Sequence, residues 1–211
     1  MLDDLRRDAA RLHLSYPGRS TGRAVVEALL FNNGFQAVVL YRMARWFKVR
    51  RVPILGPALA RLSLFLTGVD LHPAAEIGPG LLIAHGHGLV VGGGARIGAD
   101  ALLLHGVTVG SPSPGRVAQM PVIGDRVFLG AGAKVVGAVT VGSPSPGRVA
   151  QMPTIGDRVF LGAGAKIVGA VTVGDDVAVG PNAVILEDVP AGSRVLSAAG
   201  IRVTSRGAGG G

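Results

Sequence analysis

From residue 77 onward, aliphatic side chains recur every sixth position: Ile77, Ile83 and Leu89, then Ile97, Leu103 and Val109. The pattern continues as Ile123, Leu129, Val135 and Val141, and again as Ile155, Leu161, Ile167, Val173, Val179 and Ile185. A period of six matches neither the 3.6 of a helix nor the simple alternation of a strand, but three hexapeptides close an 18-residue triangular coil. The spacing predicts a parallel β-helix whose inward residues stack in aliphatic ladders. The frame breaks by two residues before Ile97 and by eight before each of Ile123 and Ile155. Both long breaks fall at SPSPGRVAQMP, a segment whose prolines and glycine suit a loop pushed out of the coil.

The first seventy residues follow a different pattern. Residues 24–48 place Val26, Leu29 and Leu30, then Phe35, Val38, Val39, Tyr41, Met43 and Trp46, at helical spacings on either side of Asn32, Asn33 and Gly34. Pro53 and Pro57 bracket a further apolar stretch, LARLSLFL. These segments predict a short helical cap over residues 1–69, followed by the β-helix over 70–203 and a flexible tail, 204–211. A membrane-surface role for the cap competes with packing, given Lys48, Arg50 and Arg51 beside Trp46. Arg42 and Arg45, expected to interrupt the apolar face, favour packing, so peripheral membrane contact is not the expectation.

A longer repeat overlies the short one. Residues 109–140 recur as 141–172 with only Val122 becoming Thr154 and Val135 becoming Ile167. Counted as four hexapeptides plus a loop, the block predicts that its second loop leaves from a face rotated by a third of a turn.

Composition narrows the chemistry. The 211 residues include 34 Gly and no Cys, with 48% hydrophobic and only 4% aromatic side chains. Collagen is excluded because glycine does not fall at every third position, and disorder by the hydrophobic content. Without cysteine there is no disulfide, thiolate metal site or enzyme-bound thioester, so any acyl chemistry is direct transfer. The charged start, MLDDLRRDAARLH, has no signal-peptide core, and a cytoplasmic location is expected. The net charge of +8 favours polyanionic partners such as a phosphate-bearing cofactor.

Four of the five histidines lie between the cap and the first loop. His85 and His105 both hold the third place of their hexapeptides, so they are expected one coil apart on one face, in glycine-rich surroundings open to a substrate. A histidine there acts as general base near neutral pH when a carboxylate orients it, and Asp70 is the nearest candidate. The plainer alternative is that these histidines only decorate a polar outer face.

TGVDLHPAAEIG, HG-x-G-x-VVG, HGVTVG, the extruded loop, P-x-IGD and GAGAKVVGAVTVG, in that order, resemble the serine acetyltransferase family of hexapeptide-repeat acyltransferases. NGFQAVVLYRMARWF is similar to that family's last N-terminal helix. The resemblance implies a left-handed β-helix, a homotrimer, and acetyl-CoA bound between neighbouring subunits, with no metal and no nucleic acid. It implies His85 as base and Asp70 as orienting acid, with backbone N–H groups holding the oxyanion. Carried over by position, Gly110, Ser111, Gly130, Ala131 and Lys134 would contact the cofactor, Arg116 its phosphates, and His105 and His72 the acceptor. The first copy of the duplicated block, in unbroken register with His85, would hold the cofactor, with Gly162 and Ala163 of the second on a rotated face.

The departures bear on the acceptor. Serine-specific members carry Asp before the catalytic His, where Ala84 stands here, and Arg-His before the loop-closing Pro, where Gln119 and Met120 stand, and again Gln151 and Met152. The short cap and His105-Gly106-Val107-Thr108 also resemble relatives that acetylate sugars in exopolysaccharide assembly, so a sugar hydroxyl competes with serine. The tail lacks the terminal isoleucine that docks family members into cysteine synthase, and that complex is not expected. A γ-carbonic-anhydrase-like zinc site on His85, His87 and His105 is disfavoured because their spacing does not match such sites. A noncatalytic scaffold is the remaining alternative.

Overall fold

The computed structural model describes residues 1–111, 120–137 and 152–197. The described strands between Asp70 and Val195 form three parallel ladders that wind round one core. Face 1 carries Asp70–Leu71, Val90–Val91, Thr108–Gly110, Lys134–Val136, Lys166–Val168 and Val184–Ile185. Face 2 carries Glu76–Ile77, Arg96–Ile97, Val122–Ile123, Thr154–Ile155 and Thr172–Val173. Face 3 carries Leu82–Ala84, Leu102–Leu104, Phe128–Leu129, Phe160–Leu161, Ala178–Val179 and Arg194–Val195. Alternate residues of a strand point to opposite sides, so each short strand turns one aliphatic residue inward. All these inward residues except Val195 are buried and join one continuous core.

Two features of the six-residue frame are corrected. The inward position of face 1 on the second coil is Val91, paired with Val109, not Leu89. The two-residue break therefore precedes Val91 and falls in the His85-Gly86-His87-Gly88 corner. Leu89 satisfied the pattern because it fills the second inward site of the strand, the site held by Val107 and Ala133 on later coils, all three being fully buried.

The second correction concerns the duplicated block. Val135 pairs with Val109 on face 1, and Ile155 pairs with Ile123 on face 2. The chain thus leaves face 1 and rejoins face 2 at the same corner in both copies, with no rotation. Val141, assigned above to a coil position, lies outside the described residues, and Ile155 takes the face 2 position. This register lays like on like: Leu161 stacks on Leu129, and the Phe160 and Phe128 rings stack with centroids 4.7 Å apart. Aligned aromatic faces and an unbroken aliphatic ladder favour it over a rotated alternative.

The cap comprises α1 (Leu2–Ala10), a 3-10 turn (Arg11–Leu14), α2 (Thr21–Phe31), α3 (Asn33–Val49) and α4 (Leu55–Thr67). Asn32 ends α2 and starts α3, its side chain accepting from the Phe35 N–H at 2.9 Å. α3 closes the bottom of the β-helix: the buried Tyr41 hydroxyl donates to the Ala75 carbonyl at 2.8 Å and accepts from the Ile77 N–H at 3.2 Å. Burial pushes the Tyr41 phenol above its ordinary pKa.

Arg42 does not interrupt an outer face. It points inward and donates to the Ile77 and Gly78 carbonyls and, through two nitrogens at 2.9 and 3.0 Å, to Asp8. Asp8 also accepts from the Leu81 N–H at 2.8 Å, which ties α1, α3 and the first coil together. Arg45 likewise turns to the first coil, donating to the Ala75 carbonyl at 2.6 Å. A helical period fixes which residues share a face but not which face meets the core.

Candidate active site

The candidate residues gather on face 1 and the two corners that bound it. At the corner entering face 1, the Gly106 N–H donates to the His87 carbonyl at 3.0 Å, the Gly132 N–H to that of His105 at 2.8 Å, and the Gly164 N–H to that of Ala131 at 2.7 Å. His87, His105, Ala131 and Ala163 therefore form one column. The expectation that His85 lies directly below His105 is corrected: His87 holds that place. On the strand before the corner, Ala84 pairs with Leu104, so His85 and Gly86 are the two residues inserted between matched positions.

This insertion sets His85 outside the coil. His85 is exposed and takes a left-handed backbone conformation, φ +53°, although Gly88 already provides the regular left-handed residue of that corner at φ +71°. A non-glycine residue held there is conformationally costly and needs neighbours that fix it. Gly86 supplies them: a Cβ at this position would lie 2.6 Å from Ile83 Cγ2 and 2.7 Å from Val69 Cγ2, so the bulge is pressed onto the core. The start of α3 backs it from the other side, where a Cβ on Gly34 would collide with the Ile83 carbonyl. Gly34 escaped sequence reasoning, since a glycine beside two asparagines reads as a helix break; the inserted HGHG pair was the legible signal.

Asp70 is half-buried on face 1 of the first coil, where its N–H donates to the Leu89 carbonyl at 2.9 Å. The Gly88 N–H donates to the Gly68 carbonyl at 2.8 Å, so the strand bearing Asp70 runs directly beneath the His85 corner. Among the described residues no hydrogen bond joins the Asp70 and His85 side chains. His72 lies at the far corner, where Nδ1 accepts the Ala74 N–H at 3.1 Å and the ring covers Gly93. That bond leaves the proton of the neutral ring on Nε2.

Gly110 and Ser111 sit at the same far corner, and among the described residues nothing lies within 4 Å of where a Gly110 Cβ would stand. Lys134 projects from face 1 with its ammonium 3.4 Å from the Thr108 hydroxyl, and among the described residues it forms no ion pair. Gly130 has a packing reason for its size: a Cβ there would lie 2.7 Å from the Ala163 nitrogen of the coil above. Gly162 repeats this beneath Pro181, directly over Gly130 and not on a rotated face. Small corners at Gly110 and Gly132, both open among the described residues, and an ammonium between them without an ion pair there fit a thin, phosphate-bearing ligand laid along face 1.

Ala84 brings no charge beside His85. A Cβ on Gly92 would meet the Met120 methyl at 2.7 Å, so Met120 folds back over Gly92 and onto the core. Met152 begins the second described return to the coil, while Arg116, Gln119, Gln151 and the tail 204–211 lie outside the described residues. His85, His87 and His105 do not converge, and among the described residues no group of three or more His, Cys, Asp or Glu side chains is placed to hold a metal ion.

Comparison with known proteins bears on this arrangement. Residues 152–187 match the bacterial transferase hexapeptide model, and residues 122–144 the hexapeptide repeat of succinyl-transferase. A serine acetyltransferase of Helicobacter pylori strain J99 is 38% identical over 178 residues, covering 84% of this chain and 85% of that protein. One from Synechococcus elongatus is 36% identical over 56% of this chain and 49% of its own length. Among solved structures, Brucella abortus serine acetyltransferase superposes with a TM-score of 0.65 at 28% identity, covering 81% of this chain and 62% of the other. The same enzyme in complex with coenzyme A gives 0.59 at 27% identity, over 92% and 64%. Soybean serine acetyltransferase complexed with serine gives 0.60 at 29%, over 93% and 68%. This chain thus spans about three-fifths to two-thirds of those solved chains.

Proposed function

The chain belongs to the serine acetyltransferase family, and on that premise we propose that it transfers acetyl from acetyl-CoA directly to an alcohol at face 1, with His85 as general base and Asp70 as its orienting acid. The observation that carries the reading is the two-residue bulge that lifts His85 out of the stacked column and exposes it above the strand bearing Asp70. The thioester of acetyl-CoA supplies the activated acetyl group. His85 takes the proton of the acceptor hydroxyl as that oxygen attacks the thioester carbonyl; the C–S bond then breaks, and the imidazolium, stabilised by Asp70, gives the proton to the departing CoA thiolate. Gly110, Ser111, Gly130, Ala131 and Lys134 hold the cofactor along face 1, and His105 and His72 flank the acceptor.

The coil is read as left-handed, following the family, and the working unit as a homotrimer whose clefts lie between neighbouring β-helices. Residues 1–69 act as cap and 70–203 as the acyltransferase domain. A sugar hydroxyl is favoured over serine as acceptor because, by the resemblance, Ala84 and Met120 put apolar side chains where serine-specific members carry Asp and His, with Met120 folded onto Gly92. A site without those polar groups gives up discrimination for an amino acid. A thiol-release assay with acetyl-CoA against serine, homoserine and a panel of sugars tests both points. Release with a sugar but not with serine supports the acceptor assignment; no release with any alcohol sinks the enzyme reading for this chain.

A further inference from the structure

Helix α4 is built inside out. It buries Gly56, Ser63 and Thr67, with Ser63 2% and Thr67 4% exposed, and turns Leu55, Leu62, Phe65 and Leu66 to solvent, with Phe65 85% exposed. The buried side is small because α3 lies against it: a Cβ on Gly56 would sit 3.0 Å from the Ala44 carbonyl, and the Asn33 amide donates to the Thr67 carbonyl at 3.3 Å. Ser63 and Thr67 spend their hydroxyls on backbone carbonyls, that of Thr67 on Ser63 at 2.7 Å. The exposed residues, at positions i, i+7, i+10 and i+11, share one helical face, and that stripe continues into the exposed Ile54 at the α3–α4 turn.

The charge beside this stripe has one sign. Between Glu27 and Asp70 the sequence holds six basic residues and no acid. Arg42 and Arg45 are turned inward, which leaves Lys48, Arg50, Arg51 and Arg61 exposed at the turn and along the rim of α4. The Arg50 guanidinium lies 4.2 Å over the Trp46 ring, pairing a cation with an amphipathic aromatic at the same turn. Among the described residues no single helix is long and apolar enough to cross a membrane. An apolar stripe rimmed by uncompensated cations matches an anionic bilayer surface, which takes up the side chains and pairs with the charges. A protein partner of mixed charge would leave those cations unpaired.

We infer that the α3–α4 hairpin docks on anionic lipid with the α4 stripe immersed at headgroup depth. Leu66 lies four residues before Asp70, so docking holds the proposed active site at the membrane surface. The inference is independent of the catalytic assignment, because vesicle binding is read without turnover.

The test is co-sedimentation of the full chain with vesicles of phosphatidylcholine alone, and of phosphatidylcholine with about one-third phosphatidylglycerol. Retention is expected on the anionic vesicles only. It weakens about tenfold in Phe65→Glu and about fivefold for each charge removed in Arg50→Ala and Arg51→Ala, and it falls with added salt. All three side chains are exposed, so thermal unfolding stays unchanged and certifies the fold. Absence of retention, or retention indifferent to both Phe65→Glu and the arginine variants, overturns the inference. If sedimentation equilibrium then shows an assembly that Phe65→Glu divides, the stripe is a contact between copies of this chain.

Discussion

His85 precedes His87 by two residues yet stands outside the column that His87 shares with His105, whose successor Gly106 donates to the His87 carbonyl at 3.0 Å. One imidazole is thus a rung of the solenoid and the other an excursion from it. His85→Ala is expected to lower turnover by about two to four orders of magnitude with little change in acetyl-CoA affinity, and His87→Ala by less than about tenfold. Steady-state thiol release and calorimetric titration with acetyl-CoA measure the two quantities. Equal losses in both variants would show that the bulge does not single out the base.

Gly86 holds that excursion against Ile83 and Val69. Gly86→Ala places a methyl 2.6 and 2.7 Å from their methyl carbons. Overpacking of this kind costs about 1–3 kcal/mol, and here it is relieved by moving the His85 bulge. Urea denaturation and turnover together give the expected signature: a modest stability loss with a disproportionate loss of rate.

The ladders were legible in the sequence because each coil needs an aliphatic residue at each face, and Ile77, Ile97, Ile123 and Ile155 declare that demand without ambiguity. The frame slipped at Leu89 because a coil buries two residues on some faces, and Leu89 fills the lesser site as well as Val91 fills the greater. Arg42 misled for a related reason: its partner Asp8 lies 34 positions away, and no local pattern announces a long-range buried pair. Gly130 shows where residue type alone stops: the coil above requires a glycine there whether or not a ligand also lies against it.

The corrected register makes the second copy a plain added coil. Deleting residues 141–172 joins Thr140 to Val173, and Thr140 then stands where Thr172 stands, preserving the face 1 to face 2 step that Lys166–Val168 and Thr172–Val173 now make. The shortened chain is expected to fold, to lose about 4.8 Å of length, and to retain thiol release, since His85, Asp70 and the first copy are untouched. Small-angle scattering and the thiol assay check this; a folded but inactive product would move the cofactor site to the second copy.

The duplication also brings Arg158 beneath Asp176, which it grips through two bonds of 2.6 Å. The Arg158 hydrogen bond holds the Asp176 carboxyl below its ordinary pKa. With the folded value below the unfolded one, the pair's stabilisation is present above the ordinary carboxylate pKa and is lost as pH falls through the depressed value. A carbon-detected NMR titration should show Asp176 returning to the ordinary carboxylate range in Arg158→Ala.

Asp8 and Arg42 provide the contrasting case of a pair removed from water, with side chains 0% and 3% exposed. Asp8→Ala leaves a buried guanidinium with carbonyls alone and strips the Leu81 N–H of its acceptor, so a loss of about 3–5 kcal/mol is expected. Arg7→Ala, which removes the exposed 2.7 Å bridge to Asp100, should cost less than about 1 kcal/mol. Because Asp8 fastens α1 to the coil beneath the His85 corner, the first variant should also lower the unfolding midpoint of the whole chain and not of the cap alone. Thermal melts followed by Trp46 fluorescence in the cap and by far-ultraviolet dichroism of the strands distinguish these outcomes, with coincident transitions expected if cap and β-helix unfold as one unit.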